Sequence, residues 1–228
     1  MLNFHFCVAV LGLLLCPIAA RASVITYSDG TFAPSSWTFT TDIIIGSSAS
    51  ATQQTSGGNP GYCRQVKINV AAGNFAQVYA FNMMAAATLT PATQGAISLL
   101  TYGEDRNAPT DQEFGPAVYQ GGIYYYANAG YYPTNGWSTL PPTAFASTSF
   151  VTPTSSTSHP DFTSAGAPLE FGFVAINNNG EDGSAFSTTT EYDNFQISLT
   201  TVAVPEPASV GGLLAMGYLF CRRRPAAV

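Results

Sequence analysis

Tyr192-Asp193-Asn194-Phe195-Gln196-Ile197-Ser198-Leu199 carries the clearest strand pattern in the chain. Its apolar Phe195, Ile197 and Leu199 alternate with the polar Asn194, Gln196 and Ser198. A period of two sends successive side chains to opposite faces of an extended chain, so one face is dry and the other wet. Val66-Lys67-Ile68-Asn69-Val70 repeats the pattern. Phe171-Gly172-Phe173-Val174-Ala175-Ile176 breaks it, because both of its faces are apolar. Such a run predicts a central strand covered on both sides.

Working outward from these runs, no window holds a sustained helical stripe. The nearest is 83–89, which Thr88 and Pro91 end quickly. Strands are expected at 24–27, 37–41, 62–70, 75–82, 96–102, 117–120, 123–127, 169–177 and 192–200, separated by Gly, Pro, Asn and Ser. Short strands in that number predict an all-β fold. The expected form is a two-sheet antiparallel β-sandwich of jelly-roll type.

Two apolar segments flank this domain. Residues 6–20 are nearly all apolar, and Ala20-Arg21-Ala22 precedes Ser23, the layout of a secretory signal peptide over residues 1–22. At the other end Val204-Pro205-Glu206-Pro207 leads into the uncharged run 208–221 and then Arg222-Arg223-Arg224. As a helix that run spans roughly 21 Å at ~1.5 Å per residue, short of a hydrocarbon core of about 30 Å. Its terminal position, the prolines before it and the arginines after it still predict a hydrophobic membrane helix. The arginines act as a cytoplasmic stop-transfer. The expected organisation is 1–22 signal peptide, 23–203 β-sandwich and 204–228 tail.

This tail resembles the PEP-CTERM sorting signal of Gram-negative bacteria. The resemblance covers the end of the chain only: Val204, Pro205, Glu206, Pro207, the apolar run, and Arg222, Arg223 and Arg224. It implies exosortase and the secretion machinery as partners, and membrane contact through the tail before processing. The implied destination is the cell envelope, outer surface or exopolysaccharide matrix of a Gram-negative bacterium.

Charge and cysteine content bound the function classes. Between residues 23 and 203 stand three basic residues, Arg64, Lys67 and Arg106, against twelve acidic ones. A domain so poor in cations cannot neutralise phosphates, which argues against nucleic acid as a partner. Of four cysteines only Cys63 lies in the domain, so no intrachain disulfide forms there.

Five constellations are candidates for chemistry. Asp29 and Asp193 sit in stretches that resemble the first and last strands of lectin-like sandwiches, concanavalin-like and galactose-binding-like. That resemblance implies adjacent terminal strands and a structural Ca²⁺ held by the two carboxylates; otherwise Asp29-Gly30 is a turn. Glu104, Asp105, Asp111 and Glu113 form an acidic group of the kind glycoside hydrolysis needs, although Glu104-Asp105-Arg106-Asn107-Ala108-Pro109 reads as a solvated loop. Tyr124, Tyr125, Tyr126, Tyr131, Tyr132 and Trp137, set among glycines, could stack on a ligand such as a sugar ring. Tyrosines are equally at home in strands, where adjacent ones point to opposite faces. His159 follows a Thr/Ser/Pro-rich stretch and reads as an exposed loop residue; no G-x-S-x-G elbow accompanies it, and with Cys63 it makes too few ligands for zinc. Asn177-Asn178-Asn179-Gly180-Glu181-Asp182-Gly183 reads as a hairpin loop.

The reading these features favour is a non-catalytic protein, exported and sorted to the surface or matrix and associated with exopolysaccharide. The alternative is a lectin-like carbohydrate-binding module with a tyrosine platform. A glycan-acting enzyme using the acidic group is third.

Overall fold

The computed structural model describes residues 22–131, 133–134 and 136–202. The signal peptide, the Pro-Glu-Pro motif, the apolar run and the arginine triplet therefore lie outside the described residues, as does Tyr132. Among the described residues no helix is long and apolar enough to cross a membrane.

The domain is all-β. Its strands are β1 (Ala22–Asp29), β2 (Trp37–Ile44), β3 (Ser48–Gly58), β4 (Gly61–Val70), β5 (Gln77–Leu89), β6 (Ala96–Asn107), β7 (Glu113–Gln120), β8 (Ile123–Tyr126), β9 (Gly130–Tyr131), β10 (Ser138–Phe145), β11 (Leu169–Asn178) and β12 (Phe186–Val202). They form two antiparallel sheets. The first runs β10-β6-β12-β4-β3, with β1 also on β12; the second runs β2-β5-β11-β7-β8, with β9 also on β7. β12 is long enough to hold β4 along its first half and β1 along its second, while β6 follows its other flank. The first and last strands thus lie side by side.

Period-two patterning builds the core. Phe195, Ile197 and Leu199 of β12 and Val66, Ile68 and Val70 of β4 meet Phe171, Phe173 and Ala175 of β11 between the sheets. Trp37 stands at the centre, its ring 5.0 Å from Phe32, 5.6 Å from Phe173 and 5.1 Å from Phe195. Each buried Val, Leu, Ile or Phe among them stabilises the fold by about 1.5–3 kcal/mol. The opposite face of β11 places Val174 and Ile176 in a second cluster with Tyr79, Phe81, Met83 and Ala117, on the outside of the second sheet. This central strand is covered on both sides, as its composition predicts.

The space between the sheets also holds polar groups. Arg64 donates from Nε to Asn82 Oδ1 at 2.7 Å. Tyr192 donates to Gln112 Oε1 at 2.5 Å, and Gln112 donates to Asn177 and Thr188. Glu104, 3 % exposed, accepts a hydrogen bond from the Tyr102 hydroxyl through one oxygen, while its Oε1 has no partner among the described residues.

Three expectations change. β5 continues to Leu89, so the stretch nearest to a helical stripe is strand. β6 continues to Asn107, so Glu104-Asp105-Arg106 is strand rather than solvated loop. β3 and β10 were not predicted. In β3 the inward apolar residues are Ala49 and Ala51, too small to register as a stripe. β10 carries Pro141-Pro142, which argues against a strand; they fit here because β10 is an edge and its register shifts between Leu140 and Thr143.

Candidate functional site

The outer face of the second sheet carries an unusual density of aromatic rings. The β7–β8 hairpin sets them there. Its turn is Gly121-Gly122, with φ of 60° and 88°, the paired positive values of a tight two-residue hairpin. That turn fixes Gln120 opposite Ile123 and Tyr119 opposite Tyr124. Tyr124 and Tyr126 then share the outer face with Tyr119, while Tyr125 turns into the main core and is 6 % exposed.

The sheet curls. Tyr124 on β8 hydrogen-bonds through its hydroxyl with Thr40 Oγ1 on β2 at 3.2 Å. These strands are at opposite edges, four spacings of about 4.8 Å apart in a flat sheet, farther than a tyrosine reaches. The curl has local causes. The β5–β11 ladder shifts register between Glu170 and Gly172, and such a bulge bends a strand. A Cβ on Gly172 would meet Asn82 O at 1.9 Å, and one on Gly115 would meet Ala127 O at 1.9 Å. Only glycine admits backbones that close.

Rolled this way, the face holds a continuous row of rings. Tyr126 lies 5.1 Å from Tyr79, Tyr79 lies 6.3 Å from Phe81, Phe81 lies 4.8 Å from Tyr124, and Tyr124 lies 4.6 Å from Tyr119. Phe81 and Tyr79 form the buried floor, and Tyr119, Tyr124 and Tyr126 are half-buried. Beside the row opens a cleft of about 440 Å³. Thr40, Thr41 and Asp42 of β2 form one wall; Gly122, Ile123 and Tyr124 form another; Thr152, Pro153, Thr154, Ser155 and Ser158 close it. That volume lies within the range of small-ligand clefts, about 300–1,000 Å³.

Two carboxylates flank the row. Asp42, Tyr79, Ile176 and Glu113 occupy one cross-strand line. Asp42 is exposed and Glu113 half-buried. Burial pushes Glu113 above the ordinary carboxylate range. Burial, the adjoining Tyr126 hydroxyl and the charges of Glu113 and Asp42 push the Tyr79 phenol up.

Other sequence candidates fall elsewhere. Trp137 is half-buried, and its indole N–H donates to Gly57 O at 3.1 Å by the β3–β4 hairpin, on the side of the first sheet. Tyr131 pairs in β9 with Glu113 through the backbone. The acidic group is dispersed. Glu104 points between the sheets; Asp105 accepts from Thr139, Asn59 and Asn194; Asp111 is exposed; Glu113 joins the aromatic row. His159 is exposed and pairs through Nδ1 with Phe150 O at 2.6 Å. Cys63 is buried, and burial with the charges of Glu191 and Asp193 pushes its thiol up to about 11. The predicted loop 177–183 instead begins with the last two residues of β11, Asn177 and Asn178, and continues into the short helical turn Gly180–Asp182.

Asp29 and Asp193 come to one end of the sandwich. A Cβ on Gly30 would lie 3.5 Å from Asp193 Oδ1. Their oxygens are already engaged. Asp29 Oδ1 accepts from Thr31 N at 2.6 Å, Thr31 Oγ1 at 2.7 Å and Phe32 N at 3.1 Å, and Oδ2 accepts from Trp37 Nε1 at 2.7 Å. Burial raises this carboxyl, but the bonds from Trp37, Thr31 and Phe32 outweigh it and leave the pKa low. Asp193 accepts the backbone N–H groups of Asn59 at 2.5 Å and Asn194 at 2.6 Å. Burial raises its pKa against those bonds, with Asp105 and Asp29 adding to the rise. Among the described residues no group of three or more His, Cys, Asp or Glu is placed to hold a metal ion. The donor set here fits a carboxylate-and-amide turn better than a Ca²⁺ cage, which needs six to eight free oxygens.

Sequence reasoning missed Thr40, Asp42, Tyr79, Phe81, Tyr119 and the 152–158 wall. The alternation Tyr79-Ala80-Phe81 was legible, but nothing along the chain said that β8 would fold over it.

No protein-family model matches the chain, and no curated protein matches it. Among solved structures it is similar to the family 11 carbohydrate-binding module of a cellulosomal cellulase of Clostridium thermocellum, at 14 % identity over 82 % of this chain and 99 % of that one, with a TM-score of 0.47. A family 11 module from Clostridium thermocellum in complex with a β-1,3-1,4-mixed-linked tetrasaccharide matches at 13 % identity over 82 % and 99 %, with a TM-score of 0.46. A module in complex with β-1,4-galactotriose matches at 10 % identity over 74 % and 90 %, with a TM-score of 0.33. These are low-identity similarities of fold outline.

Proposed function

We propose that this domain is a non-catalytic carbohydrate-binding module of lectin-like, jelly-roll form, exported and held at the cell surface or in the extracellular matrix. The observation that carries the reading is the row Tyr126–Tyr79–Phe81–Tyr124–Tyr119 beside an open cleft walled by hydroxyl-bearing residues. Aromatic faces receive the C–H face of a pyranose ring, and threonine, serine and tyrosine hydroxyls exchange hydrogen bonds with sugar hydroxyls. A tight two-residue hairpin and a curled sheet set these groups in one arrangement, and such preorganisation reduces the ordering cost of binding.

The test is isothermal titration of the full-length chain against a panel of soluble oligosaccharides. Saturable binding that Tyr124→Ala weakens about tenfold, while Trp137→Ala leaves it unchanged, supports the cleft. Hydrolysis of any panel member would instead favour an enzyme. The sorting role of the tail is a separate proposal that rests on the resemblance of residues 204–224. Removal of Pro205–Pro207 should trap the full-length chain in the membrane, and unchanged release would overturn it.

A further inference from the structure

We propose that the glycan taken by this cleft carries free amino groups, and that Asp42 is the carboxylate that reads them. The inference rests on the carbohydrate-binding reading and narrows its ligand class to amino sugars bearing an ammonium.

The first support is the placement of the cations. Between residues 23 and 203 there are three, and each is committed away from the cleft. Arg64 is 4 % exposed, bonded to Asn82 and stacked 5.5 Å over Trp37 between the sheets. Arg106 is 4 % exposed, with its guanidinium 3.5 Å over the Phe114 ring and donating to Gln112 O. Lys67 is exposed on the outer face of the first sheet, in register with Ser50 and Thr189. Among the described residues no Lys or Arg lines the cleft. A uronate, sulfated or phosphorylated polymer needs such a partner for each desolvated anion and finds none among the described residues of the cleft.

The second support is the placement of the carboxylates. Asp42 stands exposed on the cleft wall, two residues from Thr40 on the same face of β2. Among the described residues its carboxylate has no hydrogen-bond or ion-pair partner. Glu113 stands at the other end of the same cross-strand line, next to Tyr79 and Tyr126. An aminated sugar seated in the cleft against Tyr124 can turn its ammonium to Asp42. The ring faces add a cation–π attraction that a neutral amide or hydroxyl lacks. The excess of acidic over basic residues draws a polycation from a distance.

The experiment titrates the full-length chain with a β-1,4-glucosamine oligomer, its fully N-acetylated counterpart and an oligogalacturonate, at a pH where the amine is protonated and at two salt concentrations. The expected result is that the glucosamine oligomer binds about tenfold more tightly than the acetylated one, as one charge-assisted contact supplies. The gap should close at high salt, at a pH where the amine is neutral, and in Asp42→Asn. The galacturonate should bind weakest. Equal affinity for all three, a preference for the galacturonate, or a preference that survives Asp42→Asn overturns the inference while leaving the carbohydrate-binding reading standing. A folded chain that binds none of them removes both.

Discussion

The two outer faces of the sandwich solve the same problem in opposite ways. On the first sheet many outward side chains are polar and bonded to one another, and the apolar ones among them, such as Val24 and Leu99, are left exposed. Asn69 donates to Ser48 at 3.2 Å and accepts from Ser187 at 2.7 Å; Thr26 pairs with Ser198 at 2.9 Å; Glu191 accepts from Gln65 and Asn107. On the second sheet the outward residues Phe81 and Val174 are fully buried. A flat sheet cannot bury its solvent side, so that face had to roll until β8 overhung β5. The difference teaches that the apolar outer face is a constructed feature, with a cleft left along its rim.

The contrast between the faces should be largest at Phe81. Phe81→Ala should cost about 3–5 kcal/mol, whereas Ser198→Ala on the opposite outer face should stay within about 0.5 kcal/mol. Urea denaturation reads both, and a small loss at Phe81 would mean that the overhang does not pack. The space between the sheets sharpens the contrast through pH. Burial raises Glu104 from an ordinary 4.5 to about 8; Tyr102 and Arg106 oppose the rise and Asp105 adds to it. Its folded pKa lies above its unfolded one, so the folded state holds the extra proton between those values. Stability should therefore fall as pH rises from about 4.5 to about 8. Thermal melts of Glu104→Gln should show that slope flattened.

Next in size is Tyr124→Ala, which should weaken binding of whichever oligosaccharide the wild-type chain takes by about tenfold, ~1.4 kcal/mol, with Trp137→Ala neutral in the same titration. Gly122→Val forces a β-branched residue to φ 88°. It should destabilise by about 1–2 kcal/mol and weaken oligosaccharide binding beyond that loss, because the hairpin aims Tyr124. The smallest effect concerns the Asp29–Asp193 end. Their oxygens are engaged by internal donors, so a chelator should leave Tm unchanged. A clear drop would put an ion there.

Strand alternation was legible wherever the inward residue was large, as at Phe195, Ile197 and Leu199. It was illegible where Ala49 and Ala51 do the same work, since a methyl group scarcely separates inside from outside. Tyr124-Tyr125-Tyr126 was recognised as an alternating pair of faces, but its partners Tyr79 and Phe81 are remote in sequence. Trp137 seemed of one set with those tyrosines only because it is near them along the chain. Glu104-Asp105-Arg106 looked like a charged loop, although Glu104 is enclosed between the sheets by Tyr102 and its neighbours.

Local sequence was enough for an all-β domain with one central two-faced strand, a shortage of cations and a strand break at Gly121-Gly122. These follow from local chemistry: side-chain period, charge count and the backbone freedom of glycine. Only the tertiary structure decided which rings share a surface and that Asp42 stands beside them. That outcome depends on how far the second sheet curls, and the curl comes from a bulge at Gly172 and a close approach at Gly115. Both are contacts between segments far apart in the chain, and no stretch of sequence carries them alone.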